Sequence, residues 1–391
     1  MIPNFLRCIK CGKNYPSDEI RYRCSCGGLL EVCYEELKAR KEDFMGSGVW
    51  RYDKLLPVEC KVTLKEGGTG LYQCMNLDLG VDLWVKNEGD NPTGSFKDRG
   101  MTVGVSKAIS LGLDKAACAS TGNTSASLSA YCARAGMTTY VFIPSGKIAY
   151  GKLSQAMIHG AKIYAMEGDF DLALEMVEDF CARHGVYWLN SINPFRLEGQ
   201  KTIGYEIIEQ LNYRAPDYIV LPVGNAGNIS ALWKGLLEFQ KLGLLDELPK
   251  LVGVQAEGAS PIVRAIDDGI FSPVERPETI ATAIRIGNPV SAEKAIRAIK
   301  ESKGMALAVS DEEIIKAQSA LAQREGLFVE PASASSIAGL AKCVENGWIE
   351  GGASVVCITT GHGLKDPDVV VNRLKDGIVE IEKVIEIEID M

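Results

Sequence analysis

The chain predicts an α/β protein with parallel sheets flanked by helices and a small cysteine-rich ribbon at its N-terminus. Three observations carry that expectation. From about residue 101 to 190, short apolar stretches alternate with helical stretches of ten or more residues, the pattern of βαβ units. A second series of the same kind begins at Gly199. Residues 1–38 stand apart: Cys8-x-x-Cys11 is followed by Cys24-Ser25-Cys26, each pair at a glycine turn, in a stretch with few apolar residues.

Taken in order, the cysteine-rich segment leads to a turn-rich loop, Glu66-Gly67-Gly68-Thr69-Gly70, and a short strand over 83–86. Asn91-Pro-Thr-Gly-Ser-Phe-Lys-Asp-Arg-Gly100 then makes a turn, with Ser95 as the expected N-cap of a helix running to about 111. Strands are expected over 116–119, 139–143, 162–165 and 187–189, and helices over 126–135, 151–159 and 170–183. In the second series a helix covers 199–211, an apolar strand 218–223, a helix 229–241 and a strand 251–255, before a less regular region to about 308. Ser310-x-x-Glu313 is a capping box opening a helix to 323; a helix over 335–346 and a buried strand over 354–359 follow. Ile385, Ile387 and Ile389 alternate with Glu386, Glu388 and Asp390, the period of an edge strand with one acidic face.

The 391 residues suffice for two or three domains, and 46% hydrophobic with 24% charged residues is ordinary for a soluble globular protein. A net charge of −9 argues against a general nucleic-acid or anionic-membrane partner, though a site can be locally positive. No apolar run approaches the roughly 20 residues of a membrane helix, and no signal peptide is read at the start. Twelve scattered cysteines read as reduced thiols of a cytoplasmic protein. Three histidines leave little material for a histidine-ligated metal or Ser-His chemistry. Cys8, Cys11, Cys24 and Cys26 can surround zinc tetrahedrally, in a closed structural site; a metal-free relic is the alternative.

Lys97 would sit in the first turn of its helix, where the dipole disfavours an ammonium. A lysine kept neutral can form a Schiff base; an exposed surface lysine is the plain alternative. Three loops have the placement at strand ends where open α/β sheets bind ligands: 120–125 (STGNTS), 224–228 (GNAGN) and 359–363 (TTGHG). The first two offer amides and hydroxyls at helix starts, fit for anions, and the third presents hydroxyls. Each alone is also an ordinary strand-to-helix connection. Together they supply what pyridoxal phosphate needs: a Schiff-base lysine, a phosphate cradle, and partners for the ring oxygen and ring nitrogen. The spacing of GNAGN fits neither a dinucleotide fingerprint nor a P-loop.

With STGNTSAS, NSINPFRLEGQKT, PVGNAGN and TGHGLKDP, the NPTGSFKDRG segment resembles the pyridoxal-phosphate enzymes of the tryptophan-synthase-β fold type (fold type II), and within them the threonine synthase family, over about residues 50–370. The cysteine-bearing start resembles archaeal-type members. The resemblance implies two open, mostly parallel twisted sheets. It divides the chain into the ribbon (1–38), a large cofactor-binding α/β domain (39–95 and 191–391) and a small α/β domain (96–190). It implies Lys97 as the catalytic Schiff-base lysine, Asn123 at the cofactor's ring oxygen, Gly224, Asn225, Ala226, Gly227 and Asn228 around its phosphate, and Thr360 at the ring nitrogen. Thr121 and Thr124 would lie near the substrate, and Asn190, Ser191 and Arg196 would hold its phosphate, for which Arg196 has bidentate donors. A structural ion pair is the alternative for Arg196, and loop-shaping is the expected role of His362. The implied reaction turns O-phospho-L-homoserine and water into L-threonine and phosphate, in a homodimeric lyase of amino-acid biosynthesis. One departure is Gly70, where such loops more often carry proline. Rival readings are a cysteate-synthase-like enzyme using phosphoserine, a threonine or serine dehydratase, and an inactive zinc-ribbon binding protein.

Overall fold

A computed structural model describes residues 4–145, 150–168 and 170–375, with backbone alone for 150–152, 170 and 171. The expected acidic tail strand at 385–390 lies outside the described residues. Strands β1 (Asn4–Cys8), β2 (Asn14–Pro16) and β3 (Leu30–Tyr34) form an antiparallel ribbon in the order β2-β1-β3. The body contains β4 (Leu71–Gln73), β5 (Asp82–Asn87), β6 (Lys115–Ala119), β7 (Thr138–Pro144), β8 (Lys162–Met166), β9 (Tyr187–Trp188), β10 (Tyr218–Pro222), β11 (Lys250–Ala256), β12 (Met305–Val309) and β13 (Ser354–Thr359). These make a wholly parallel four-stranded sheet, β8-β7-β6-β9, and a six-stranded sheet, β12-β11-β10-β13-β5-β4, parallel except for the β4–β5 pair.

The central strands of both sheets are largely apolar because they are buried on both faces, whereas the edge strands β4 and β8 are partly exposed. Alternate residues point to opposite sides. Ile219, Leu221, Val356 and Ile358 join one apolar cluster, while Val220, Val355 and Cys357 join another. The smaller sheet repeats this, with Ala116, Cys118 and Val141 on one side and Ala117, Ala119 and Phe142 on the other.

Helices occupy Lys97–Ser110, Asn123–Ala135, Tyr150–Ile158, Phe170–His184, Gly227–Lys241, Asp311–Glu325 and Pro331–Glu345, close to the expected places. The Ser310 capping box forms, Ser310 accepting from the Glu313 amide at 3.1 Å and Glu313 accepting in return. Three expectations need correction. Ser95 does not cap its helix: Phe96 takes that position, and the Ser95 hydroxyl is buried without a partner. The helix expected over 199–211 is two, Pro194–Gln200 and Thr202–Gln210, the first opened by Asn193 capping the Phe195 amide with Pro194 in the first turn. The region to 308 contains the strand β12 and the short helices Pro261–Asp268 and Ala292–Glu301, the two helices separated by a stretch interrupted by Gly269, Pro273, Pro277, Gly287 and Pro289.

The fold brings the strand-end loops together. The Phe96 amide donates to the Thr360 carbonyl at 3.0 Å, His362 N–H to Gly94 at 2.9 Å, and Glu330 N–H to Gly361 at 3.0 Å. The turn before Lys97, the loop after β13 and the approach to the helix Pro331–Glu345 are thus laced into one wall.

Candidate active site

Lys97 is the first residue of its helix, and its two successors are fixed. Asp98 accepts from the Thr93 amide (2.7 Å), the Thr93 hydroxyl (2.6 Å) and the Ser127 hydroxyl (2.5 Å). Arg99, fully buried, forks onto Glu88 at 2.6 and 2.7 Å and onto Glu206 at 2.7 and 2.8 Å; Lys86 reaches the same Glu206 at 2.9 Å. The Lys97 ammonium lies 4.3 Å from the centre of the Phe96 ring. Burial, with the Arg196 charge nearby, pushes the Lys97 pKa down from 10.5 to about 7, against an opposing pull from Glu330. Desolvation therefore leads in favouring the neutral amine, where the sequence reading had put the helix dipole.

Lys97 opens onto a cavity of about 1440 Å³. Its lining includes Thr121, Asn123, Thr124, Asn190, Ser191, Arg196, all five residues from Gly224 to Asn228, and Thr360, so the structure gathers every residue expected around cofactor and substrate. Their states differ. Arg196 is 1% exposed and none of its three guanidinium nitrogens has a hydrogen-bond partner. Burial pushes its pKa down to about 10, so it stays cationic at neutral pH. A buried cation without a carboxylate is costly unless an anion joins it. The Asn190 side chain, in contrast, is already engaged: its oxygen accepts from the Ala119 amide (2.9 Å) and the Trp188 indole (2.7 Å), and its nitrogen donates to Ala119 O (2.9 Å). It clamps β6 to the segment after β9, with one N–H left over. Asn123 opens its own helix and donates to both Glu330 oxygens at 3.1 Å. The Thr360 hydroxyl is 3.0 Å from that of Ser333.

Glu330 and Ser333 escaped the sequence reading. Burial pushes the Glu330 carboxyl up, partly opposed by the Asn123 bond. The available signal was an acid immediately before Pro331 and a run of serines and alanines. His362 caps its turn, Nδ1 accepting from the Leu364 amide at 3.1 Å, in keeping with a loop-shaping role. Gly70 donates its amide to Asp90 at 3.0 Å, a bond proline cannot make.

The loop after β10 is shaped to hold an anion. Ala226 adopts a left-handed conformation (φ 63°) immediately ahead of the helix Gly227–Lys241, a strained position for alanine. Both amide atoms of the Asn228 side chain are buried and unpartnered. A Cβ at Gly224 would lie 3.0 Å from the Ala283 carbonyl oxygen, so glycine keeps the backbone close to the opposite wall. A neutralised lysine, an amide cradle at a helix start and a neutral hydroxyl at a strand end define the class: an α/β pyridoxal-phosphate enzyme site, which these residues fit.

Comparison with known proteins agrees. Residues 62–361 match the family model described as pyridoxal-phosphate dependent enzyme. The threonine synthase of Methanocaldococcus jannaschii is 58% identical over 389 residues, 95% of each chain, and that of Methanosarcina acetivorans 56% identical over 96% of this chain and 95% of its own. Among solved structures, threonine deaminase isoform 2 from Solanum lycopersicum superposes with a TM-score of 0.69 at 21% identity, over 86% of this chain and 87% of that one, a likeness of fold. The chain belongs to the pyridoxal-phosphate dependent enzyme family and, within it, to the threonine synthases.

Away from the cavity, the sulfurs of Cys8, Cys11, Cys24 and Cys26 all lie within 4.8 Å of one another. Cys8 and Cys26 are 3.6 Å apart, and Cys11 and Cys24 3.5 Å. Four thiolates about 2.3 Å from a zinc ion sit roughly 3.8 Å apart at the edges of a tetrahedron, so the cluster is near that size. Among the described residues, no helix is long and apolar enough to cross a membrane.

Proposed function

We propose that the protein converts O-phospho-L-homoserine and water into L-threonine and phosphate, acting as a carbon–oxygen lyase on a phosphate ester. The observation that carries this reading is Arg196: a buried guanidinium with no partner, on the wall of the cavity that Lys97 enters. Chemistry that needed no phosphate site would gain nothing from leaving that cation unpaired.

Lys97, Asn123, residues 224–228 and Thr360 are the groups that would hold pyridoxal phosphate, which when bound serves as an electron sink for negative charge developing on the substrate. Thr360, a neutral hydroxyl held by Ser333, imposes no positive charge on the ring nitrogen. Arg196 and Ser191 hold the substrate phosphate, and Thr121 and Thr124 the amino-acid end. Lys97, with its pKa near 7, takes and returns protons at its Nζ, first from the α-carbon and then at the β-carbon. In the net reaction the γ-carbon–oxygen bond breaks and phosphate leaves, the γ-carbon takes a proton to become the methyl group, the β-carbon loses one proton and gains water's hydroxyl, and water's remaining proton goes to the phosphate. Departed phosphate held at Arg196 stays close to that water.

The same reading takes residues 1–38, 39–95 with 191–391, and 96–190 as three working parts. It gives zinc to the four cysteines and makes the enzyme a cytoplasmic homodimer with no nucleic-acid partner. Purified enzyme should release phosphate from O-phospho-L-homoserine with equimolar L-threonine. Release from phosphoserine with sulfite, and none from phosphohomoserine, would overturn the substrate assignment. Borohydride should abolish the visible cofactor band of the wild type, and Lys97→Ala should lack that band.

A further inference from the structure

The ribbon does not line the cavity, yet it grips both helices that frame the anion-holding wall. Phe195, beside Arg196, is inserted into the ribbon's apolar cluster with Leu6, Leu30, Val32 and two of the four cysteines, Cys8 and Cys24. Three residues on, Glu198 meets the hydroxyl of the ribbon's Tyr34, which also accepts from Lys201 at 3.0 Å. The outer edge of β3 would otherwise leave carbonyls unpaired. Those of Leu30 and Val32 accept from Lys294 (2.9 Å) and Lys234. Lys234 belongs to Gly227–Lys241, the helix that begins in the phosphate loop.

The seven-residue helix Pro194–Gln200 is too short to hold its shape alone. Its other side meets the helix of Lys97 so closely that a Cβ at Gly199 would stand 1.7 Å from the Arg99 carbonyl oxygen. Arg196 is thus carried on a helix held by the lysine helix, by the helix Gly227–Lys241, whose Lys234 pairs with Glu198, and by the ribbon.

We propose that the ribbon, folded around zinc on Cys8, Cys11, Cys24 and Cys26, braces the helix Pro194–Gln200 and so positions Arg196, making phosphate affinity depend on the metal and on Tyr34. Phe195 and Tyr34 are positioning residues in this scheme. The inference rests on Arg196 as the phosphate holder and on zinc in the ribbon.

The test uses the purified holoenzyme with and without chelator treatment, together with Tyr34→Phe, Arg196→Gln and the double variant. Metal content, the cofactor absorption band and the dissociation constant of inorganic phosphate are measured, with KM and kcat beside them. A displaced anion-holding group costs up to about a hundredfold, so stripping should raise the phosphate Kd and KM roughly 10- to 100-fold, with kcat falling less than about threefold and the cofactor band retained. Tyr34→Phe should shift both constants the same way by a smaller factor, and neither change should add to Arg196→Gln. Unchanged phosphate affinity in the stripped enzyme and in Tyr34→Phe overturns the brace. A purified enzyme that carries no metal overturns the proposal as stated; if stripping also removes the cofactor band, Tyr34→Phe decides: a raised Kd with the band intact supports the brace, and an unchanged one overturns it. If Arg196→Gln alone leaves phosphate affinity intact, the phosphate reading of Arg196 fails, and the brace falls with it.

Discussion

Replacing Lys97 by methionine should stabilise the cofactor-free protein while abolishing its chemistry. The side chain keeps its length and loses its charge. In the folded protein Lys97 holds its proton up to about pH 7, while in the unfolded chain it does so up to about 10.5. Between those values the unfolded state binds more protons, so this residue's contribution to stability rises with pH. The penalty is fully present below pH 7 and gone above 10.5. Each tenfold change in proton affinity is worth about 1.4 kcal/mol, which gives about 4 kcal/mol at pH 7. Lys97 keeps partial exposure to the cavity, and solvent there screens the charge, so roughly 2–4 kcal/mol is the expected gain. Urea unfolding of cofactor-free wild type and Lys97→Met at pH 7 and pH 10 measures it. The variant should unfold at higher urea at pH 7, and most of that advantage should vanish at pH 10. A variant no more stable than wild type at pH 7, or equally favoured at both pH values, would refute the reasoning.

Three further outcomes follow from the same geometry. Arg196→Gln should raise KM for the phosphorylated substrate about 10- to 150-fold, the equivalent of roughly 1.5–3 kcal/mol for a charge-assisted bond, with a smaller change in kcat by steady-state kinetics. Arg99→Met leaves Glu88 and Glu206 buried without their shared partner and should cost about 3–5 kcal/mol in urea unfolding. Asn228→Ala removes two buried amide atoms from the phosphate loop and should weaken cofactor binding about tenfold, read by titrating the visible band.

What could be read from the chain was whatever is local. Loops at strand ends, the Ser310 box, the paired cysteines and the alternation of short strands with long helices are written in contiguous residues, and their places in the structure follow closely. What could not be read depends on partners far away in sequence. Glu330 matters because the fold sets it against Asn123, 207 residues away, and Ser333 because Thr360 comes to it. Asn190 looked like a free ligand group in its motif, yet its amide is largely committed, to Trp188 two residues back and to Ala119, 71 residues away, the latter a cross-strand pairing no local pattern reveals. The helix Ala292–Glu301 was local too: its alanines and isoleucines alternate with charges at helical spacing, so its period was legible in the sequence and was simply passed over.

The two cations at the cavity also explain why so much charge is buried just behind it. Lys97 and Arg196 each lose solvation, and the Arg196 charge disfavours the protonated form of Lys97. Left to themselves they would push the two elements carrying them, the helices Lys97–Ser110 and Pro194–Gln200, apart. Arg99 follows Lys97 and runs to the opposite side, into Glu88 and Glu206, with Lys86 completing the cluster. Burial alone would raise the Glu206 carboxyl, but the Arg99 and Lys86 cations outweigh that desolvation and hold it well below the usual carboxylate range, so it stays ionised. Arg99 also reaches Thr202, at the start of the helix following Pro194–Gln200, at 3.1 Å. The cluster thus ties the lysine helix to the segment bearing Arg196 from behind, and that attachment offsets the repulsion at the front. Strain at the site and neutralisation behind it are two sides of one arrangement, which is why Arg99→Met should disturb phosphate binding as well as stability.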